Sequence, residues 1–218
     1  MKNKGKFLMI GISGALFALL IVLLRCVDVE PVGSADTSVG LSHLNRFVFE
    51  LTGVNMVWYN ITDWLGLTAI IAAFLFAATG LVQLIKRRSI LKVDKEILAL
   101  GGLYTLLIGI YVLFENVIVN YRPIIMPGNS TPEASFPSSH TMLVCVIMGS
   151  TLIIIGKYIK KKSMCRVIRG MCAAVIAVTV VGRLISGVHW FTDILGGLLI
   201  STFLLALYSA FVTWEEEK

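Results

Sequence analysis

Six stretches of this chain are apolar for about the length needed to cross a bilayer, and that leaves few folds open. A helix spanning the ~30 Å hydrocarbon layer needs ~20 mostly apolar residues, and its backbone polar groups must be satisfied within the segment. The stretches run from about 7–24, 64–85, 97–120, 141–158, 167–181 and 190–214. Hydrophobic residues make up 57% of the 218 positions and charged residues only 15%, against ~25% charged in soluble domains. So little charge does not cover a soluble surface. A disordered chain, a secreted disulfide scaffold and an ordinary cytosolic enzyme are therefore excluded. The expected fold is all-α: one polytopic membrane domain over 1–218, with six transmembrane helices.

The first stretch follows Lys2, Lys4 and Lys6 and so resembles a signal peptide. A cleavage site needs small residues, whereas this run ends Leu23-Leu24-Arg25-Cys26. The expectation is an uncleaved helix. Cations then set the orientation, because Lys and Arg collect on the cytoplasmic side. With the N-terminus inside, the inner segments hold Lys2, Lys4, Lys6, Lys86, Arg87, Arg88, Lys92, Lys95, Lys157, Lys160, Lys161, Lys162, Arg166, Arg169 and Lys218. Arg25, Arg46, Arg122 and Arg183 remain outside. The net charge of +6 is thus an orientation signal and implies no nucleic-acid partner. Both termini are expected in the cytoplasm. The four cysteines, at 26, 145, 165 and 172, form no CxxC or metal-ligand spacing.

The longest outer connection, 26–63, contains Pro31, Gly33 and Gly40 and then apolar residues at 41, 44, 47, 48 and 51. That spacing fits one helix face. It predicts a short amphipathic helix lying at the outer surface between the first and second spans. His43 has no partner among its sequence neighbours and reads as solvated.

Two polar clusters lie at the outer ends of the last four spans. Four of the five prolines, at 123, 127, 132 and 137, fall in one segment with Gly128, Asn129, Ser130 and Thr131, which cannot be helical. Ser138 then stands where an N-cap is expected, before the run that begins at Thr141. The free amides of Ser139, His140 and Thr141, with the helix dipole, would suit an anion. In the second cluster, His189 and Asp193 are four apart and share a helix face. A carboxylate on one ring nitrogen of an imidazole frees the other to attack. Arg122, His140, Arg183 and His189 all sit at ends assigned to the outside. Ionisable groups at membrane depth are functional candidates, and this inventory suits phosphoryl transfer.

These residues resemble the type 2 phosphatidic acid phosphatase superfamily of integral membrane lipid phosphatases. The family pattern is Lys-x6-Arg-Pro, Pro-Ser-Gly-His and Ser-Arg-x5-His-x3-Asp. This chain has Glu115-x6-Arg122-Pro123, Pro137-Ser138-Ser139-His140 and Gly182-Arg183-x5-His189-x3-Asp193. The resemblance implies that His189 is the nucleophile, that Asp193 orients it, and that His140 protonates the leaving oxygen and then activates water. Arg122 and Arg183, with Ser138 and Ser139, would hold the phosphate. It implies no metal and no cofactor.

Three positions depart from the pattern. Ser139 replaces Gly, Gly182 replaces Ser, and Glu115 replaces Lys. An unpaired carboxylate at a membrane boundary is costly, so Glu115 is expected to pair with Arg122 or Arg183. The implied activity is metal-independent removal of phosphate from a polyprenyl diphosphate, phosphatidate or phosphatidylglycerophosphate at the outer face of a bacterial plasma membrane, through a phosphohistidine. A lipid phosphotransferase, or a non-catalytic relative that binds or moves such lipids, is the alternative.

Overall fold

A computed structural model describes residues 2–216, and among them the chain is helical except for loops and two isolated backbone bridges. Helix α1 covers Lys2–Cys26, α2 Ser42–Thr52, α3 Met56–Arg87, α4 Lys95–Asn116, α5 Ser139–Tyr158, α6 Lys162–Ile185 and α7 Phe191–Glu216. All but α2 are long and apolar enough to cross a membrane, and the protein is an integral membrane protein. Lys218, counted above as an inner cation, lies outside the described residues.

α5 and α7 form the centre. Two thirds of the most apolar window of α5 is buried, against 11% for α6. α1 and α4 pack on α7, while α3 and α6 pack on α5. Small and hydroxylated side chains let these helices approach. Ser201 of α7 donates to the Met142 carbonyl of α5 at 3.4 Å, and Tyr104 of α4 meets Ser150 of α5 at 3.0 Å. The outer flanks carry exposed Phe74, Leu75, Val112 and Val167, as a lipid-facing surface should.

The helices outrun the apolar stretches, and the difference at α3 places a functional group. Asn55 caps α3 by accepting from the amides of Val57 and Trp58 at 3.1 and 3.3 Å. The helix therefore starts two turns before Trp64 and carries Tyr59, Thr62 and Asp63 inside it. α4 ends at Asn116 rather than 120. Beyond it the chain is non-helical, and Tyr121 bridges Ala134, with Arg122 N–H donating to the Glu133 carbonyl at 3.0 Å.

A short helix does form in the outer connection, and the face it packs on the protein carries polar side chains. Ser42 and Asn45 of α2 are buried, whereas Leu44, Phe47 and Leu51 are exposed. The reason is a polar demand from the core. Asn45 accepts from the Thr192 amide at 3.2 Å and donates to the Thr192 hydroxyl at 3.0 Å, which satisfies the start of α7. His43 is not partnerless either, since its Nδ1 lies 2.6 Å from Asp28 Oδ1.

At the opposite end of the bundle, Arg87 pairs with Asp94 at 2.8 Å, Lys157 pairs with Glu96, and Lys6 reaches the Ser209 carbonyl at 2.9 Å. The cation-rich segments thus share one end, and the two histidine clusters share the other.

Candidate active site

The two clusters meet through backbone as well as side chains. The Ser138 amide donates to the Asp193 carbonyl at 3.0 Å, which fixes the start of α5 against the start of α7. Ser138 is the N-cap residue of α5, as its position predicted, but its hydroxyl makes no cap. It is fully buried and accepts from Thr141 Oγ1 at 3.0 Å. Ser139 and His140 are half-buried in the first turn.

Asp193 doubles as a helix cap. Its Oδ2 accepts from the Trp190 amide at 2.9 Å, the reciprocal half of a capping box. Asn120 Nδ2 approaches Oδ1 at 3.4 Å. The same Oδ2 lies 3.7 Å from His189 Nδ1, beyond hydrogen-bond reach. His189 Nε2 faces Arg122 Nη1 at 3.5 Å. Burial, and then the Arg122 and Arg183 cations, hold the His189 imidazole well below its ordinary range, so it is neutral at neutral pH.

Arg122 is aimed by loop contacts. Its carbonyl accepts from Ser34 Oγ at 2.8 Å, its Nη1 donates to the Val188 carbonyl at 3.3 Å, and its Nε lies 3.0 Å from Glu133 Oε2. Arg183, in the last turn of α6, is completely buried. Its Nη2 donates to Asp63 Oδ1 at 2.5 Å, and its guanidinium lies 4.8 Å from the centre of the Tyr59 ring. Nε and Nη1 of Arg183 and Nδ1 of His189 are buried without a hydrogen-bond partner. Unmatched buried donors on a cation are costly, and an anionic oxygen would satisfy the guanidinium.

The expected pairing of Glu115 with an arginine is replaced by two others, Arg122 with Glu133 and Arg183 with Asp63. Glu115 projects from the last turn of α4 and is exposed. It lines a narrow cleft with Ser139 and His189. The loop turns Arg122 toward Glu133 instead. Gly182 has a steric reason: a Cβ there would lie 2.6 Å from Thr62 Cγ2 and 3.1 Å from the Trp58 ring, so α3 occupies the space that a serine side chain would need.

Asp63, Tyr59, Asn45, Asn120 and Glu133 were not singled out by the motifs. Asp63 had one visible signal, as an acid at the outer edge of an apolar run. The others are brought in by folding alone. A group of Asp28, Glu30 and His43, with ligand atoms within 4.8 Å of one another, was likewise not apparent from spacing. It lies outside the arginine–histidine cluster, and Asp28 there is engaged by Ser42 Oγ and the His43 amide at 2.9 and 2.8 Å.

A cavity of about 410 Å³ leads away from Ser139, His140 and Asp63. Its walls are Gly66, Leu67 and Ile70 of α3, Leu107 and Ile108 of α4, and Leu143 of α5. Leu67, Ile70 and Ile108 are exposed on the bundle flank, so the cavity joins the polar site to the apolar outer face.

Fold and site together define a polytopic membrane protein with a buried, anion-receptive cluster at one end of its helices. Residues 116–217 match the PAP2 superfamily. The crystal structure of a transmembrane PAP2 type phosphatidylglycerolphosphate phosphatase from Bacillus subtilis is similar, with a TM-score of 0.65 over 92% of this chain and 96% of that one. At 17% identity the shared property is the fold. No curated protein sequence matches the chain.

Proposed function

We propose that the protein is a lipid phosphatase whose phosphate site is built from Arg122, Arg183, the first-turn amides of α5, and His189. The observation that carries this reading is the set of buried, unmatched donors on Arg183 beside a neutral His189, at the head of an apolar cavity open to the bundle flank. The cavity takes an acyl or prenyl tail, and the polar cluster takes the phosphate. Phosphatidate, phosphatidylglycerophosphate and polyprenyl diphosphates share that form. The cation-rich end faces the cytoplasm, so the site lies on the extracytoplasmic side.

Mechanistically, His189 Nε2 attacks phosphorus while Nδ1–H turns to Asp193. The gap of 3.7 Å closes as substrate binds, a tightening common to catalytic hydrogen bonds. Asp193 supports the charged imidazole. His140 gives a proton to the leaving oxygen, and a phosphohistidine forms. Water then attacks phosphorus, His140 takes its proton, and the P–N bond breaks. Arg122 and Arg183, with the Ser139 amide, hold the oxygens on which charge grows. Ser138 contributes through its backbone, since its hydroxyl is buried against Thr141.

The test is phosphate release from a panel of these three lipid classes by the purified protein in detergent, with EDTA present. Release from at least one is expected. No release, with or without added divalent metal, would favour a non-catalytic lipid-binding relative. Release only with added metal would overturn the histidine mechanism.

A further inference from the structure

Asp63 belongs to α3, outside the segment that matches the superfamily, yet its Oδ1 touches two groups of the site. It lies 3.0 Å from His140 Nε2 and 2.5 Å from Arg183 Nη2. The helix supporting it is shaped for this contact. Residues 59, 63 and 66 fall on one face of α3, where Tyr59 covers the Arg183 guanidinium and Gly66 makes room for the imidazole. A Cβ at position 66 would lie 3.1 Å from His140 Cδ2 and 3.6 Å from Nε2. The Cδ2–Nε2 edge of the ring therefore faces α3, and the opposite edge, with Nδ1, is turned away from it.

We propose that Asp63 is a positioning residue for proton transfer at His140, an assignment that rests on the phosphatase reading above. The carboxylate lies 3.0 Å from Nε2, and in the reacting complex it accepts Nε2–H and so selects one tautomer of the ring. Nδ1 is then the atom that moves protons. In the first step the ring starts as the imidazolium, and its Nδ1 proton passes to the leaving oxygen as the bond from phosphorus to that oxygen breaks and the bond to His189 forms. In the second step Nδ1 takes a proton from the attacking water as the P–N bond breaks. In the protonated ring, Asp63 also stabilises the positive charge. This is the logic of a carboxylate–histidine pair in acyl transfer, supplied here from a different helix than the one carrying the histidine. Arg183 grips the same oxygen and so ties the orientation of the acid to the phosphate site.

The competing reading is that Asp63 only balances the buried Arg183 charge. The two differ in how they depend on the leaving group. A poor leaving group needs protonation in the transition state and a good one does not. Wild type and Asp63→Asn would be compared on alkyl-tailed phosphates whose leaving groups run from a primary alcohol to a nitrophenol. With Asp63→Asn, kcat should fall about 10- to 100-fold for the alcohol and less than about 3-fold for the nitrophenol, with KM nearly constant. Gly66→Ala changes no charge but presses on the ring, and it should show the same skew at smaller size. It decides the matter if Asp63→Asn does not fold. Equal losses across the series, or no loss, would overturn the role of Asp63. A wild-type protein inactive on the whole series would instead overturn the phosphatase reading itself.

Discussion

The two halves of the molecule contribute to the site in different ways. From residue 116 onward, the chain supplies the groups proposed to meet phosphate: Arg122, Ser139, His140, Arg183 and His189. The first half supplies groups that aim them. Asp63 and Tyr59 hold Arg183, Asn45 caps the helix that carries Asp193, and Ser34 anchors the Arg122 backbone. Groups that meet a reacting centre are restricted in kind and spacing. Groups that orient them can come from any neighbouring helix that offers an acceptor at the right depth. A motif therefore captures the second half and passes over the first.

The comparison breaks most sharply at His189. If the second half does the chemistry, His189→Ala should lower turnover by at least about 1,000-fold and remove any acid-labile phosphoenzyme. A residual phosphoenzyme in that variant would place the nucleophile elsewhere. The same residue sets a pH limit. Attack needs the neutral ring, and burial with the two arginines holds its pKa down. The acid limb of kcat/KM should therefore lie below about pH 6.5, the ordinary histidine value. A limb above that value, measured across buffers at constant ionic strength, would contradict the electrostatics described.

The first half should respond in stability as well as rate. Asn45→Ala leaves the buried Thr192 amide without its acceptor and should cost about 1–2 kcal/mol. Thermal unfolding in detergent would read it as a lower midpoint. An unchanged midpoint would mean that α2 lends the start of α7 no support.

The smallest effect is expected at Glu115. Because the arginines pair with Glu133 and Asp63, Glu115→Lys should leave both pairs intact. It adds a cation at the rim of the cleft near His189. A drop in KM of about 2- to 5-fold is expected, the size of an exposed charge contact of under ~1 kcal/mol. A large loss of activity would instead show that Glu115 has a structural partner in the site.

The sequence by itself determined the class of the fold, because six apolar runs and the distribution of cations are properties of segments. It also determined Arg122, His140, Arg183, His189 and Asp193 as candidates, because each lies in a short block whose internal spacing is local. Tertiary structure decided which acids answer the arginines, and which face of α2 packs inward. It also decided that α3 begins early enough to carry Asp63 to His140. Those outcomes depend on buried polar groups finding acceptors across distant parts of the chain. Asp63 and Arg183 are 120 positions apart, and Asn45 and Thr192 are 147 apart. A hydropathy window sees the apolar body of a helix and misses the polar turn that extends it. At α3 that turn carries the carboxylate, and only the packing of α3 against α5 and α6 reveals what it touches.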